Sequence, residues 1–319
     1  MSARAVGRMS ARAVGQVNTP AVGRMGAPAV GRMGAPTVGR MGAPTVGRMG
    51  APAVGQMNAR SRRTAVAVLV AAGLAVTGCG AGDGRATGSG GDGRVTGPVT
   101  VFAAASLTES FTRIGKDFEA ANPGSRVTLN VAGSSALANQ ITQGAPADVF
   151  ASAAPTNMTT VIEAGAADGT PSVFARNQLV IAVPRGNPKA VAGLADLTGP
   201  GVKVALCASQ VPCGSAARTA LDAAGVALTP VTLERDVKGA LAKVKLGEVD
   251  AALVYRTDTR AASADVTGVE FPESARAVND YPIVALKDAP NPDGARAFVA
   301  YVSSAPAQAV LAEAGFQAP

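Results

Sequence analysis

From Val99 onward, the sequence alternates short runs rich in β-branched residues with Ala-rich stretches of helical length. This alternation predicts an α/β fold with mixed, mostly parallel sheets that are covered by helices on both faces. The predicted strands are 99–104, 126–132, 147–153, 178–184, 203–207, 250–255 and 281–286. The predicted helices are 106–122, 135–143, 156–165, 214–225, 236–247 and one closing helix over 294–315. Such sheets bind ligands where strands end and the following helices begin.

The composition excludes several classes of function. The 319 residues include no histidine, so catalysis by Ser-His-Asp or Cys-His groups and metal binding through imidazole are excluded. The formal charge is +7, but ten arginines and no acidic residue lie within 1–78, which leaves 19 of the 29 basic residues against all 22 acidic ones. The remainder is slightly acidic, so no nucleic-acid-binding face is predicted.

The first 97 residues contain three different segments. Residues 1–56 are seven near-copies of an eight-residue unit with frequent Gly and Pro, too short a period for a packed repeat. We expect them to be disordered or to precede the true start. Residues 57–78 read as an export signal, in which three arginines precede about 13 apolar residues, too few to span a bilayer. The Gly-rich segment 79–97 is predicted to be a flexible tether.

The four residues Val-Thr-Gly-Cys that end at Cys79 resemble the lipobox of bacterial lipoproteins. The resemblance implies that Cys79 carries a lipid, becomes the new N-terminus and holds the exported chain at the outer face of the cytoplasmic membrane. An ordinary secretory peptide with an incidental cysteine is the alternative.

Four junctions between a predicted strand and a predicted helix carry candidate anion donors. Ser106 and Glu109 form a predicted capping box after the first strand, and Ser134 begins the second junction. Cys213 lies at the third junction and Asp236 at the start of the fourth helix. Helix starts offer unpaired N–H groups and the positive end of a dipole, so they suit an anion without a cationic side chain. Helix capping alone would also explain each serine.

Five segments resemble the periplasmic molybdate-binding proteins of ABC transporters: AAASLTESF, GSSALANQITQGAPADVFASA, VPCG, DVKGALAKV and ALVYRTD. The resemblance extends from about Val99 to Phe316 and implies a two-lobed periplasmic-binding-protein fold of type II with two hinge crossings. It implies lobe one at 98–176 and 277–319 and lobe two at 177–276, with 178–184 and 281–286 as hinge strands.

The same resemblance implies a site of neutral donors. In that family serine hydroxyls, backbone amides and one tyrosine hydroxyl hold the anion, and the matching residues here are Ser106, Ser134, Cys213, Val237 and Tyr255. Cys213 stands where the family usually has alanine, which should matter little if only the backbone N–H is used. The implied ligand is molybdate or tungstate, and the implied partner is a permease in the cytoplasmic membrane. We expect a monomer that is not an enzyme, with no cofactor, no bound metal cation and no nucleic acid.

Two further features are expected to be structural. Cys207 and Cys213 lie six residues apart, and with Cys79 carrying lipid they leave an even pair. A disulfide between them is expected in an oxidising compartment, and free buried thiols are the alternative. Asp148, at the start of a predicted strand, is expected to be a structural carboxylate rather than a catalytic one.

Three other functions stay open at this point. A receptor for sulfate or phosphate would use the same fold, and phosphate would require an acidic acceptor for its proton, for which Asp236 beside Val237 is the candidate. An exported serine hydrolase is the second possibility, but this sequence has no His, no Gly-x-Ser-x-Gly elbow and no Ser-x-x-Lys motif. A purely structural surface lipoprotein would bind no ligand.

Overall fold

The structure is a computed structural model that describes residues 95–319. The repeat over 1–56, the signal peptide over 57–78 and the lipidation residue Cys79 lie outside the described residues, as does most of the tether. No helix within 95–319 combines the length and the apolar composition that crossing a bilayer requires.

The described residues form ten strands and eight helices. The strands are β1 Gly97–Ala104, β2 Ser125–Ala132, β3 Val149–Ala151, β4 Ala167–Asn177, β5 Leu179–Pro184, β6 Val204–Cys207, β7 Thr232–Glu234, β8 Ala251–Tyr255, β9 Val266–Val269 and β10 Asn279–Leu286. The helices are α1 Thr108–Ala121, α2 Ser134–Thr142, α3 Pro155–Glu163, α4 Pro212–Ala224, α5 Val237–Lys245, α6 Arg256–Ala261, α7 Pro292–Val302 and α8 Ala305–Ala314.

The strands form two five-stranded sheets, and each sheet belongs to one lobe. The first has the order β2-β1-β3-β10-β4 and the second β7-β6-β8-β5-β9. In the first sheet only β10 runs against its neighbours, and in the second only β5 does. Helices pack on these sheets as the alternation predicted, so the two-lobed α/β fold with mixed, mostly parallel sheets is confirmed.

The chain crosses between the sheets twice. It leaves the first sheet at Asn177, where β4 ends, and enters the second at Leu179, where β5 begins. It returns through the segment between β9 and β10, which contains a short helical turn at Pro272–Arg276. The two strands predicted as hinges, 178–184 and 281–286, therefore lie within the sheets, as β5 and most of β10. The residues that connect the sheets come just before each of these strands.

Most residues of strand β1 are apolar at successive positions, because helices cover both faces of the strand. Val101 faces a core that includes Phe111 of α1 and Phe298 of α7. Phe102, on the opposite face, packs in a second cluster with Leu137 of α2. A strand that is covered on both faces is apolar at successive positions rather than at alternate ones.

Several elements differ from the sequence predictions. Strands β4, β7 and β9 were not predicted: β4 is an edge strand that contains Gly169 and Pro171, residues that weaken a strand signal and that an edge tolerates. The short polar helix α6 was also missed. The single closing helix is in fact two helices, because Ser304 before α8 has extended backbone (φ −74°, ψ 157°) and Pro306 fits only the first turn of a new helix.

Asp148 joins three parts of the first lobe, as expected of a structural carboxylate. Its side chain is 1% exposed, and its two oxygens accept hydrogen bonds from the backbone N–H of Thr100 in β1 and of Asn291 before α7, each at 2.6 Å. Both N–H groups would lack an acceptor without this carboxylate.

We expect Asp148→Ala to lower the free energy of unfolding by about 3 kcal/mol, because two N–H groups lose a charged acceptor. Urea unfolding followed by circular dichroism measures the loss. The exposed Asp288 provides the control, since Asp288→Ala should change stability by less than about 0.5 kcal/mol. Equal losses in the two variants would contradict the role given to Asp148.

Candidate functional site

The five predicted site residues meet at one small cavity between the two sheets. Ser106 follows β1 and Ser134 follows β2 in the first sheet. In the second, Cys213 and Val237 lie at the starts of α4 and α5, which follow β6 and β7, and Tyr255 ends β8. All five line the same cavity. The other lining residues are Ala104, Ala105, Gly133, Ala153, Val211, Pro212 and Asp236.

Ser106 does not cap a helix. It lies in a short helical turn, Ala105–Leu107, and the residue that precedes α1 is Leu107, which makes no side-chain cap. The Ser106 hydroxyl instead lies 2.9 Å from the hydroxyl of Tyr281. The predicted capping box with Glu109 is therefore wrong, because the extra turn separates Ser106 from the helix start and Glu109 pairs with Lys238.

Ser134 is the first residue of α2 and is 1% exposed. Its hydroxyl oxygen accepts a hydrogen bond from the backbone N–H of Ala153 at 3.0 Å. Since a hydroxyl can accept and donate at the same time, the Ser134 proton stays free to be donated at the cavity.

Two backbone donors come from helix starts in the second lobe. Cys213 is the second residue of α4 and Val237 the first residue of α5, positions whose N–H groups have no acceptor within their helix. Asp236 precedes α5, and its carboxylate accepts the N–H of Gly239 at 2.9 Å. That cap leaves the N–H of Val237 unused.

A disulfide joins Cys207 at the end of β6 to Cys213 in α4. It closes the loop that leads into the helix. At the next residue, Gly214, a Cβ would lie 2.0 Å from the carbonyl oxygen of Ala208. Only glycine therefore lets α4 begin this close to the loop, and the Cys213 N–H is held by both constraints.

Tyr255 ends β8 and is 1% exposed. Its hydroxyl has no hydrogen-bond partner among residues 95–319. Burial, with smaller effects from Tyr281 and Asp258, raises the pKa of Tyr255 well above its usual value, so the hydroxyl keeps its proton. A buried hydroxyl without a partner costs about 1–3 kcal/mol, and this one lines the cavity.

The cavity is small and contains no cationic side chain. None of its lining residues, all within 95–319, is Lys or Arg, and Asp236 is the one acidic residue. Its volume is about 10 Å³, close to the space that one water molecule requires.

Gly133 marks a close approach of the lobes beside this cavity. A Cβ at Gly133 would lie 2.3 Å from the carbonyl oxygen of Arg235, which belongs to the other lobe. The backbone of Gly133, with φ −61° and ψ 136°, is one that alanine adopts freely. Glycine is therefore required here by the contact between lobes and not by its own conformation.

An ion pair also crosses between the lobes. The ammonium group of Lys238 in α5 lies 2.9 Å from the carboxylate of Glu109 in α1 and 3.1 Å from Asp258 in α6. Asp258 is fully buried and also accepts the backbone N–H of Tyr255 at 3.1 Å. Burial raises the pKa of Asp258 to about 6, although the charge of Lys238 opposes the increase.

Sequence reasoning missed the residues that support the site: Asn177, Tyr281, Gly133 and Lys238. Tyr281 stands in a predicted strand and Gly133 directly precedes a predicted helix, positions that suggested no contact with the site. No signal along the chain pairs these residues with the predicted donors, because each contact joins residues far apart in sequence.

A two-lobed fold that holds hydroxyl and helix-start donors around an interlobe cavity defines a solute-binding protein. A family model described as bacterial extracellular solute-binding protein matches residues 99–317. Molybdate-binding protein ModA of Mycobacterium tuberculosis H37Rv is 49% identical over 221 residues, which cover 69% of this chain and 85% of that relative. The chain therefore belongs to the ModA molybdate-binding proteins within this family, as the sequence segments indicated.

Solved structures agree on the fold. The substrate-binding domain of a putative molybdenum ABC transporter from Clostridium difficile is 29% identical with a TM-score of 0.53, covering 70% of this chain and 99% of that one. The Azotobacter vinelandii periplasmic molybdate-binding protein is 21% identical with a TM-score of 0.61, covering 69% and 99%. The latter likeness supports the fold alone.

The raised pKa of Asp258 predicts a pH-dependent stability. The folded state binds this proton more tightly than the unfolded state, so the contribution of Asp258 to stability falls as pH rises from about 4 to about 6. Asp258→Asn stays neutral and keeps an oxygen for the Tyr255 N–H. The difference in free energy of unfolding between Asp258→Asn and wild type should therefore shift by about 2 kcal/mol in favour of the variant when the pH is raised from 4.5 to 7.5.

Urea unfolding at the two pH values measures this gain. Asp288→Asn, at an exposed position, is the control and should show no such gain. A difference between Asp258→Asn and wild type that is the same at both pH values would contradict the prediction.

Proposed function

We propose that this protein is the solute-binding component of an ABC importer, which captures molybdate or tungstate between its lobes and delivers it to a permease in the cytoplasmic membrane. The observation that carries the proposal is that one cavity is lined by Ser106, Ser134 and Tyr255, which can donate through hydroxyls, and by Cys213 and Val237, which can donate through backbone N–H groups. The relatives that are named for molybdate support the choice of ligand.

The chemistry of the cavity fits a fully ionised oxyanion. Molybdate and tungstate are tetrahedral dianions whose four oxygens only accept hydrogen bonds, and the five proposed donors can all be directed at them. Hydrogen bonds to a charged acceptor contribute roughly 1.5–3 kcal/mol each. Neutral donors are therefore sufficient, without a lysine or arginine in the cavity.

Capture requires the lobes to move. We propose that residues 98–176 with 277–319 form one body and 177–276 the other, and that they open and close about the two crossings. The small volume of the interlobe cavity, about 10 Å³, supports a closed form of the protein. The anion would enter the open form, and the closed complex would dock to the permease.

No reaction is proposed for this site. The chain has no histidine, and the proposed ligand groups are hydrogen-bond donors rather than a nucleophile paired with a base. We propose a monomer without a cofactor, a bound metal cation or a nucleic-acid partner. A lipid on Cys79 and the tether 79–97 would hold it at the outer face of the cytoplasmic membrane.

A phosphate or sulfate receptor is the alternative. Asp236 lines the cavity, and a carboxylate there is an acceptor for the proton of hydrogen phosphate. However, this carboxylate already accepts the N–H of Gly239. Sulfate is smaller than molybdate and would leave some of the donors without a partner.

The proposed function predicts selective binding of the larger anions. Isothermal titration of the purified protein, in buffer free of these anions, should show one-to-one binding of molybdate and tungstate. Sulfate and phosphate should bind at least about tenfold more weakly, since one unpaired buried donor costs about 1–3 kcal/mol. Preference for phosphate that Asp236→Asn removes would establish the alternative, and heat from none of the four anions would refute the receptor function.

The proposed function also predicts that lobe closure depends on Gly133. Gly133→Ala should fold normally but close incompletely, because the new methyl group meets the Arg235 carbonyl. We expect molybdate affinity to fall by about tenfold or more, and small-angle X-ray scattering with ligand to show a larger radius of gyration than wild type.

Gly193→Ala is the matched control for this variant. Gly193 lies in lobe two with extended backbone, and no atom lies within 4 Å of the position of an added Cβ. It should bind as wild type does. Normal affinity and normal compaction in Gly133→Ala would show that the close approach does not limit closure.

A further inference from the structure

A buried chain of hydrogen bonds leads from the first hinge crossing to Ser106. Asn177 ends β4, and its side-chain amide nitrogen lies 3.4 Å from the hydroxyl oxygen of Tyr281. That oxygen lies 2.9 Å from the hydroxyl oxygen of Ser106. The same nitrogen of Asn177 donates to Thr257 in the other lobe at 2.9 Å. Asn177 and Tyr281 are at most 1% exposed, so water cannot substitute for these bonds.

The direction of the bonds follows from the Asn177 amide. Its oxygen accepts the backbone N–H of Gln178 at 3.0 Å, which fixes the nitrogen on the side of Tyr281 and Thr257. An amide nitrogen only donates, so the Tyr281 oxygen is an acceptor for Asn177. The proton of Tyr281 must then find its own acceptor.

Two hydroxyls lie near that proton, those of Ser106 and Tyr255, but the Tyr255 hydroxyl forms no hydrogen bond within residues 95–319. Ser106, at 2.9 Å, is therefore the acceptor. If Ser106 donated to Tyr281 instead, the Tyr281 proton would be left without a partner at a fully buried position, at the cost of an unsatisfied donor. When Tyr281 donates, the unused proton is that of Ser106, which lines the cavity and can be donated to a ligand.

We propose that Tyr281 and Asn177 are positioning residues that hold Ser106 as a hydrogen-bond donor at the cavity. The inference rests on the proposed function and extends it. Ser134 is oriented in the same sense by the N–H of Ala153. The two serines then offer protons only, which favours an anion that has lost all of its own protons.

The experiment is a double-mutant cycle between Tyr281 and Ser106, read as the dissociation constant for molybdate. Tyr281→Phe removes one oxygen and keeps the ring that packs against Tyr255, Phe174 and Phe316. We expect it to weaken binding about tenfold. In a Ser106→Ala background the same change should have less than about a twofold effect, because Tyr281 acts through Ser106.

Two comparisons complete the design. Tyr301→Phe alters a tyrosine of the first lobe that lies away from the cavity and packs on Phe118, and it should leave affinity unchanged. Asn177→Asp reverses the direction of the chain, since a carboxylate would accept the Tyr281 proton and Ser106 would then donate to Tyr281. Asn177→Asp should therefore weaken molybdate binding less in the Ser106→Ala background than in the wild-type background, and this difference should match that for Tyr281→Phe. Any loss of affinity that remains in the Ser106→Ala background reports the added negative charge.

The outcomes separate the two proposals. Wild-type protein that does not bind molybdate would overturn the proposed function and this inference with it. Wild-type binding with equal losses from Tyr281→Phe in both backgrounds, or with no loss in either, would overturn the inference alone. If Tyr281→Phe unfolds, the Asn177→Asp cycle decides in the same way.

Discussion

The carboxyl ends of strands from two separate sheets face each other across one cavity, and they bring more hydrogen-bond donors than acceptors. Each lobe by itself can leave its donors to water. In the proposed function, closing the lobes would remove that water, and each donor then left unpaired would cost about 1–3 kcal/mol. An oxyanion would supply the missing acceptors, so closure and binding would be one equilibrium in which the ligand favours the closed form by its contacts in that form.

The ion pair between the lobes contributes less than this. The pair between Lys238 and Glu109 is partly exposed to solvent, and such pairs contribute about 0–1 kcal/mol. Its position still matters, since it places a cation next to Val237 without placing one in the cavity. Lys238 also pairs with Asp258, whose buried carboxylate needs a charged partner.

The sequence predicted what local pattern controls. Strand and helix order, the helix starts and the family segments together indicated the fold and the five residues around the cavity. They did not indicate the capping state of Ser106, because a three-residue turn between β1 and α1 decides which group its hydroxyl meets. Asn177, Tyr281 and Gly133 were equally hidden, since their roles depend on distances across the hinge or between lobes.

In the proposed site, fixed donor positions would allow anions of the same shape and charge to be distinguished. A serine or tyrosine hydroxyl can adjust by rotating, but a backbone N–H cannot. The N–H of Cys213 is held by the disulfide and by the packing at Gly214, and that of Val237 by the cap at Asp236. We expect a smaller anion to leave one of the fixed donors or serines unpaired, which would weaken its binding. If the site uses only the N–H of residue 213, cysteine can replace alanine there, and the disulfide of its side chain holds that N–H in place.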